Sequence, residues 1–335
     1  MFMRIAIVKL SALGDIVHSM IVLQFIKKYY PNIKIDWITE ESFAPILGNN
    51  HDIDDIKTLN LKSIKKQKKL IINELKKINL YKKEKYDLVI DLQGLIKSAI
   101  VSKSIGKFCV GFDKNSTRES LASFFYSKSF YIPYEENIIL RNLLLVSKAL
   151  RFEFDKEEVL NKKSFLYYKL KDLKDIKNYL NPSKKNILLV TGSSWPSKMY
   201  PKEKLIEIAN ALQENVLVCW GNEKEREIAR FIAENSHAKK LPKLNLNQLK
   251  AIISQSDLVI GADTGPTHMA WALNRPSITI FGPTPSFRNT FQTPINLTVD
   301  CGKKIDPKKL DKKDFCIKEI DPKIIIQKAE KLLYG

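Results

Sequence analysis

The sequence contains few of the residues that build metal centres and disulfide frameworks. Its 335 residues include only four cysteines and four histidines, and no two cysteines have Cys-x-x-Cys spacing. Zinc sites and disulfide scaffolds need closely and regularly spaced ligands, so both are improbable here. We expect Cys109, Cys219, Cys301 and Cys316 to be free, buried thiols in a reducing compartment.

The sequence also lacks long apolar runs. No stretch reaches the roughly 18 residues that a membrane-spanning helix needs. The first nine residues form a short strand-like run without the apolar core of a signal peptide. A hydrophobic content of 44% is nevertheless enough for a folded core. These observations predict a folded protein of the cytoplasm.

Several well-known catalytic signatures are missing. No Gly-x-Gly-x-x-Gly follows the first predicted strand, which argues against a nicotinamide dehydrogenase. Residues 94–98 contain Lys-Ser but lack the upstream glycine of a P-loop, and no Gly-x-Ser-x-Gly elbow occurs. Asp52 and Asp54 have the spacing of a metal-binding pair, but they lie in a predicted loop. We predict no metal site.

The charge is strongly one-sided, with a net value of +19. Such a charge suits nucleic acid, an anionic membrane surface or an anionic substrate. Only eight of the basic residues are arginine, and isoleucine and asparagine are abundant, so a compositional bias of the source is a competing explanation. No aromatic-basic RNA motif or helix-turn-helix signature is present, and we do not expect nucleic acid as a partner.

Alternating strands and helices predict two doubly wound α/β domains. Predicted strands span 4–9, 33–38, 86–91, 186–191, 216–220, 257–262 and 277–281. We place an N-terminal domain at 1–165, a second domain at 166–320, and a final helix at 321–335 that could pack back on the N-terminal domain. Ligands of such folds bind beyond the carboxyl ends of the strands.

One strand-to-helix turn, at residues 257–268, carries several candidate binding residues. Residues 257–262 are an apolar run with β-branched residues, and a turn at 263–268 opens a predicted helix. Pro266 suits the start of a helix, and a helix N-terminus presents free N–H groups to a phosphate. Asp263, Thr264 and His268 add polar groups there. The alternative is a capped turn without a ligand.

Three other loops carry candidate residues. Ser193, Ser194 and Lys198 follow a predicted strand and could hold a diphosphate, or form an ordinary polar loop. Glu225 follows the next strand and could bind ribose hydroxyls, or simply start its helix. Asp15 follows the first strand and is the best candidate for a catalytic base, with a helix N-cap as the alternative.

Two basic features could meet an anionic partner. A Lys-rich helix predicted over 57–85 carries Lys62, Lys65, Lys66 and Lys69 close together. They could meet phosphates or an anionic membrane, or could be a solvated helix face produced by composition. Arg118 lies in a segment of small and aromatic residues, and its planar guanidinium suits a carboxylate or phosphate.

Several motifs together resemble the heptosyltransferase family, bacterial enzymes that build the inner core of lipopolysaccharide. Residues 9–18 are similar to the N-terminal motif of that family, 263–268 to its nucleotide motif, and 281–284 to the motif that follows. Residues 91–98 and 118–126 resemble the type I members, which add the first heptose. The resemblance runs over essentially the whole chain.

The resemblance implies a GT-B fold, in which two Rossmann-like domains face each other across a cleft. It implies an inverting transfer of L-glycero-D-manno-heptose from ADP-heptose to the Kdo of Kdo-lipid A. Asp15 then takes the catalytic position. The donor-binding positions fall on Ser193, Ser194, Lys198, Glu225, Leu244, Asp263, Thr264, Gly265 and His268. On the acceptor side we place Ser11, Gly14, Arg118, Lys62, Lys65, Lys66 and Lys69.

The resemblance further implies that no cofactor or metal is required, since ADP-heptose is a substrate. It places the protein at the cytoplasmic face of the inner membrane as a peripheral protein. Trp195-Pro196 departs from the family pattern and leaves the path of the 193–198 loop open. Alternatives are a type II heptosyltransferase, another nucleotide-sugar enzyme of this fold, and a basic protein that binds nucleic acid or membrane without catalysis.

Overall fold

The computed structural model describes residues 3–64 and 69–335. The chain divides into two compact units, Met1–Phe165 and Leu166–Gly335. Each unit contains a six-stranded parallel sheet with helices along its chain, so the predicted doubly wound α/β architecture is confirmed. The described residues contain no helix that is long and apolar enough to cross a membrane.

The first unit is built on a sheet of strand order β3-β2-β1-β4-β5-β6. Its strands are β1 Arg4–Val8, β2 Lys34–Glu40, β3 Asp55–Leu59, β4 Leu88–Asp91, β5 Cys109–Phe112 and β6 Lys128–Phe130. Its helices are α1 Leu13–Met20, α2 Val22–Tyr29, α3 Ala44–Leu47, α4 Leu61–Ile64, α5 Leu70–Lys82, α6 Ile96–Ile105, α7 Ile138–Leu150 and α8 Lys156–Leu160. The central strands are continuous apolar runs because helices cover both faces of a parallel sheet.

The second unit repeats this plan with strand order β12-β11-β10-β7-β8-β9. Its strands are β7 Asn186–Val190, β8 Asn215–Cys219, β9 Lys239–Lys240, β10 Leu258–Ala262, β11 Ser277–Phe281 and β12 Asn296–Asp300. Its helices are α9 Leu170–Lys174, α10 Lys202–Leu212, α11 Glu223–Glu234, α12 Leu246–Ser254, α13 Gly265–Ala272, α14 Ser286–Asn289 and α15 Pro322–Tyr334.

Both sheets reverse their direction of winding beside their first strand. In the first unit the chain passes from β1 outward to β3 and then returns to place β4 on the other side of β1. In the second unit β7 has β8 on one side and β10 on the other. Such a switch point opens a crevice at the carboxyl ends of its two strands, where ligands of these folds bind.

The Lys-rich segment differs from the single helix predicted over 57–85. Lys57 lies in β3 with 7% of its surface exposed, and its ammonium contacts Asp36, Asp55 and Glu84. Helix α5 buries Glu74 and Ile78. Ile71 and Leu75 lie at helical spacing from Ile78, yet both are exposed. The helical spacing of apolar residues over 57–85 runs across a strand and two helices, so it does not mark the buried face of α5.

The expectation of four free thiols is wrong for one pair. Cys301 and Cys316 form a disulfide, with their Cα atoms 5.9 Å apart, whereas Cys109 and Cys219 are free and buried. The spacing of the cysteines does not reveal this pair, because Cys301 directly follows β12 and Cys316 begins a short 3₁₀ turn. The fold alone brings their Cα atoms within the range that a disulfide spans.

The last helix, α15, belongs to the second unit. Its residues Ile325, Ala329 and Leu333 are buried in the core of the second unit. That residues 321–335 also pack on the N-terminal domain stays a prediction. The helix packs on α10 and on the β10–β12 side of the sheet. Apolar residues at i, i+4 and i+8 give α15 one apolar face, and that face packs in the core of the second unit.

Candidate functional site

The switch point of the second unit lies between β7 and β10. The loop after β7 carries Ser193, Ser194 and Lys198, and the turn after β10 carries Asp263. Gly261 permits the close packing behind this turn, because a Cβ there would lie 2.6 Å from both the Thr267 hydroxyl and the Val190 side chain. The predicted diphosphate loop and the predicted nucleotide motif therefore meet at one edge of the sheet.

Asp263 is the centre of the polar contacts at this edge. Its Oδ2 lies 2.8 Å from the Lys198 Nζ and accepts hydrogen bonds from the Thr284 hydroxyl at 2.7 Å and the Asn289 amide at 3.2 Å. Its Oδ1 lies 2.9 Å from the His268 Nε2. After Trp195 the loop forms a 3₁₀ turn at Pro196–Lys198, and this turn brings the Lys198 ammonium to Asp263.

The ion pair between Lys198 and Asp263 is buried. Asp263 is 6% exposed and Lys198 is 9% exposed. Burial by itself would raise the pKa of Asp263, but the charge of Lys198 and the hydrogen bond with His268 hold that pKa well below its ordinary value. The carboxylate is therefore ionised and holds the Lys198 ammonium in place.

This arrangement is suited to binding an anion. A lysine ammonium has three N–H donors, so contact with Asp263 leaves Lys198 further donors for phosphate oxygens. Helix α13 begins at Gly265, directly after Thr264, and its first N–H groups have no partner within the helix. The positive end of the helix dipole adds to the attraction for a diphosphate.

The remaining residues of the 193–198 loop differ in exposure. The Ser193 hydroxyl is buried and has no hydrogen-bond partner among the residues that the structure describes, and the same holds for Ser197. Ser194 is exposed. A buried hydroxyl without a partner costs free energy, so a ligand that supplied a partner at Ser193 would bind more tightly.

Glu225 lies beside the same sheet edge, and Leu244 lies in the segment between β9 and α12. Glu225 is in the first turn of α11, after β8, and its carboxylate accepts hydrogen bonds from the Gly221 N–H at 2.7 Å and the Asn222 amide at 2.6 Å. It packs over Gly192, where a Cβ would collide with it. Glu223 instead pairs with Arg226 at 2.8 Å. Leu244 is half-buried in the segment before α12.

The switch point of the first unit lies between β1 and β4, and Asp15 follows β1. The alternative of a helix N-cap at Asp15 is wrong, because α1 begins at Leu13 and its N-cap is Ala12. Asp15 is the third helical residue, and its Oδ2 accepts the Ala12 N–H at 3.1 Å. A carboxylate at this position satisfies one N-terminal donor and stays half-exposed to solvent.

Arg118 is tied to the same edge through its neighbours in sequence. The Thr117 hydroxyl donates to the Gly94 carbonyl, and the Glu119 carboxylate accepts the Ile96 N–H at 2.7 Å. The segment that carries Arg118 is therefore fixed against the turn after β4. The guanidinium itself is exposed and has no hydrogen-bond or ion-pair partner within 3–64 and 69–335.

The other predicted acceptor residues are more scattered. Ser11 and Gly14 are half-buried at the start of α1. Lys62 is exposed in α4 with its ammonium 4.4 Å from the centre of the Phe43 ring, and Lys69 is exposed just before α5. Lys65 and Lys66 lie outside the described residues. The structure thus joins Asp15 and the Arg118 segment to one edge, but does not show the four lysines as a single cluster.

Three residues at these edges were missed by the sequence analysis. Thr284 lies in a motif that we had quoted, at the end of β11, and the adjacency of β10 and β11 could have assigned it. Asn289 had no signal in the sequence. Glu40 ends β2, is 2% exposed, and has its pKa raised by burial. It is therefore a second carboxyl group at the edge that carries Asp15.

Comparisons with known proteins agree on one family. The model of glycosyltransferase family 9 (heptosyltransferase) matches residues 77–317. The chain is 44% identical to lipopolysaccharide heptosyltransferase 1 of Campylobacter coli, covering 99% of each chain. It is 30% identical to lipopolysaccharide heptosyltransferase 1 of Pseudomonas aeruginosa, covering 96% of this chain and 93% of the relative.

Solved structures show the same fold. The E. coli heptosyltransferase WaaC with ADP-2-deoxy-2-fluoro heptose matches with a TM-score of 0.79 at 24% identity, covering 98% of this chain and 99% of that one. A glycosyl transferase family 9 protein from Veillonella parvula matches with a TM-score of 0.82 at 18% identity, covering 99% of this chain and 97% of that one. The expected two-domain α/β architecture of the GT-B class is thereby confirmed.

Proposed function

The chain belongs to glycosyltransferase family 9, the heptosyltransferases, and we propose that it transfers L-glycero-D-manno-heptose from ADP-heptose to the Kdo of Kdo-lipid A. The relatives named above indicate the sugar and the lipopolysaccharide acceptor. The observation in this chain that carries the proposal is the buried Lys198–Asp263 pair beside the N-terminus of α13, because it forms a seat for a diphosphate.

The proposed reaction is a direct displacement at the anomeric carbon of the heptose. A hydroxyl oxygen of Kdo forms the new glycosidic bond while the bond to the ADP oxygen breaks, and the configuration inverts. Asp15 takes the proton of that hydroxyl, a general-base contribution that is typically worth about 10²–10⁴-fold. Lys198, His268 and the N–H groups of α13 stabilise the charge that develops on the departing ADP.

The donor site is proposed on the second unit. The Ser193 and Ser194 hydroxyls and Lys198 would bind the diphosphate with the α13 N-terminus at Thr264 and Gly265. Glu225 would accept hydrogen bonds from ribose, and Leu244 would contact the nucleoside. Asp263 orients Lys198 and His268, since four side chains converge on its carboxylate.

The acceptor side is proposed on the first unit, at the membrane surface. Arg118 would bind a carboxylate of Kdo or a phosphate of lipid A. Leu121 and Phe124 follow in a 3₁₀ turn and are 58% and 79% exposed, which suits contact with lipid. Lys62 and Lys69, with Lys65 and Lys66 outside the described residues, would meet the anionic leaflet. The protein would act as a peripheral protein on the cytoplasmic face of the inner membrane.

A transfer assay tests the proposal. The protein should convert ADP-heptose and Kdo-lipid A to ADP and a heptosylated acceptor, with the new bond formed by inversion. Kdo-lipid A that already carries the first heptose should be a poor acceptor. If the protein preferred that acceptor, it would catalyse the second heptosyl transfer instead. Activity should persist in EDTA, because Lys198 and α13 supply the leaving-group contacts; full loss that Mg²⁺ restores would contradict that assignment.

A further inference from the structure

The side chain of Gln93 bridges the switch point of the first unit. Its Oε1 accepts hydrogen bonds from two consecutive backbone amides, Leu10 N–H at 3.1 Å and Ser11 N–H at 3.0 Å. Both amides lie beyond the end of β1, and Gln93 lies beyond the end of β4. The contact therefore joins two loops that are 82 and 83 residues apart in the sequence.

The turn that carries Gln93 is itself held firmly. Asp91 is fully buried, and its Oδ1 accepts the Gln93 N–H at 2.8 Å and the Gly94 N–H at 3.2 Å. Its Oδ2 accepts the hydroxyls of Ser98 and Tyr126, both at 2.8 Å. Gly94 has a φ of 68°, a left-handed conformation that glycine adopts without a Cβ penalty. The glutamine side chain thus starts from a fixed backbone.

The segment that Gln93 holds leads directly to Asp15. Ser11 is followed by Ala12, whose N–H is the donor to the Asp15 carboxylate at 3.1 Å. On the other side, the Leu10 carbonyl accepts the Glu40 N–H at 3.2 Å, and the Lys9 ammonium donates to the Leu92 carbonyl at 2.7 Å. A shift of the 10–12 backbone would move the donor that orients the Asp15 carboxylate.

We infer that Gln93 is a positioning residue for the transfer reaction: it fixes the Leu10–Ser11 backbone and, through Ala12, the direction of the Asp15 carboxylate. This inference rests on the proposed role of Asp15 as the base. The side-chain orientation follows from the contacts, since both partners are N–H donors and only the amide oxygen can accept from them. Gln93 need not touch either substrate to act in this way.

The test compares two substitutions at Gln93 with a matched control. Gln93→Met keeps the length of the side chain and removes the acceptor, and Gln93→Glu keeps an oxygen at the same position. Gln24→Met is the control, because Gln24 also accepts a backbone N–H within the first unit, from Lys163 at 3.1 Å. Steady-state kinetics with both substrates and amide hydrogen exchange at Leu10 and Ser11 are measured on each variant.

A positioning role predicts a defined pattern. Gln93→Met should lower kcat by about tenfold or more, because small displacements of a reacting group are costly, while the donor KM stays within about twofold. Gln93→Glu should recover most of kcat. Amide exchange at Leu10 and Ser11 should accelerate in Gln93→Met, and remain near the parent rate in Gln93→Glu and Gln24→Met.

Other results would overturn the inference. Parent-like kcat in Gln93→Met, or unchanged exchange at Leu10 and Ser11, would show that the oxygen does not hold the loop. An equal loss of kcat in Gln93→Met and Gln93→Glu would show that the side-chain NH₂ of Gln93, and not its oxygen, makes the important contact. If Gln93→Met does not fold, Gln93→Asn shortens the same amide and gives the same comparison. Absence of any transfer by the parent would refute the proposed function, whereas the exchange measurement tests the contact by itself.

Discussion

The two switch points use the same backbone plan but different chemistry. In the second unit, a carboxylate, an ammonium and an imidazole lie in contact at Asp263, Lys198 and His268. In the first unit, the loops after β1 and β4 are joined by the Gln93 amide and by the Lys9 ammonium, which donates to the Leu92 carbonyl, and Asp15 contacts one backbone donor. The edge of the second unit thus holds a buried ion pair, whereas the edge of the first unit holds the half-exposed Asp15 together with the buried carboxyl groups of Glu40 and Asp91.

This difference fits the two tasks that we propose for the two edges. Binding a diphosphate requires positive charge that is already oriented, and a buried ion pair keeps Lys198 oriented before the anion arrives. Taking a proton requires an accessible carboxylate that no cation neutralises. We therefore expect substitutions in the second unit to change binding and stability together, and substitutions at Asp15 to change the chemical step alone.

The largest effect is expected for Asp15→Asn. Loss of the base should lower kcat by about 10²-fold or more, with ADP affinity nearly unchanged. The asparagine oxygen can still accept the Ala12 N–H, so α1 should remain intact. Turnover with ADP-heptose and calorimetry with ADP measure the two quantities.

Asp172→Asn is the matched control for this substitution. Asp172 has the same local role in α9, where its Oδ2 accepts the Lys169 N–H at 2.8 Å. We expect parent-like turnover from it. If Asp15→Asn also turns over normally, Asp15 only caps its helix, and Glu40 becomes the next carboxyl group to test.

The next largest effect is expected for Lys198→Ala. Loss of a charged contact to phosphate, worth about 1.5–3 kcal/mol, should weaken ADP binding by roughly 10- to 100-fold and leave adenosine binding much less affected. The substitution also leaves the buried Asp263 without its ammonium, which should lower the free energy of unfolding by about 3–5 kcal/mol.

Calorimetry with ADP and adenosine and denaturant unfolding check both parts. Lys204→Ala is a suitable control, because among the described residues its ammonium donates to two backbone carbonyls, those of Lys318 and Ile320, both at 2.7 Å. Equal weakening of ADP and adenosine would contradict the contact of Lys198 with phosphate.

A smaller effect concerns the dependence of stability on pH. The pKa of Asp263 is lowered in the folded protein, so the unfolded chain, with an ordinary value of about 3.9, binds the proton first as pH falls. The stabilisation is fully present above about pH 4 and is lost as pH falls toward the folded value. The stability difference between the parent and Asp263→Asn should therefore shrink from pH 7 to pH 3. Urea unfolding at several pH values measures it, and a constant difference would show that the pair does not titrate as described.

The smallest effect is expected at Arg118. Arg118→Ala and Arg118→Lys should each raise the acceptor KM several-fold and leave the donor KM unchanged, because a lysine cannot copy the two parallel bonds of a guanidinium. Stability should not change, since the exposed guanidinium has no partner within the described residues. Kinetics with a deacylated, soluble acceptor measure the effect, and Lys114→Ala in the same loop is the control. A change in the donor KM alone would show that Arg118 does not lie in the acceptor site.

Much of the fold was predictable because its central strands are long apolar runs. Strands β1, β4, β7 and β10 were all recognised, and the turn at Asp263 was placed correctly before a helix start. The outer strands β3, β5, β6, β9 and β12 were not recognised. The two or three residues of β6 and β9 carry no periodic pattern, and β3 overlaps the segment predicted as a Lys-rich helix. Local pattern also could not place the start of α1 before Asp15.

Contacts between distant loops were beyond prediction from the sequence. The pairing of Lys198 with Asp263 and of Gln93 with Ser11 depends on which strands are neighbours in the sheet. The Cys301–Cys316 bond depends on the path of an irregular segment after β12. Residue types pointed to candidate chemistry, but the partner of each side chain follows only from topology.

The placement of α15 has a consequence for synthesis on the ribosome. The first unit has all of its described core once residue 165 has emerged, so it can fold while the second unit is still being made. The second unit has no such advantage, because Leu333 and Ala329 complete a core that begins at Ile187. An apolar face of its sheet therefore stays uncovered until the last turns of α15 have left the ribosomal exit tunnel.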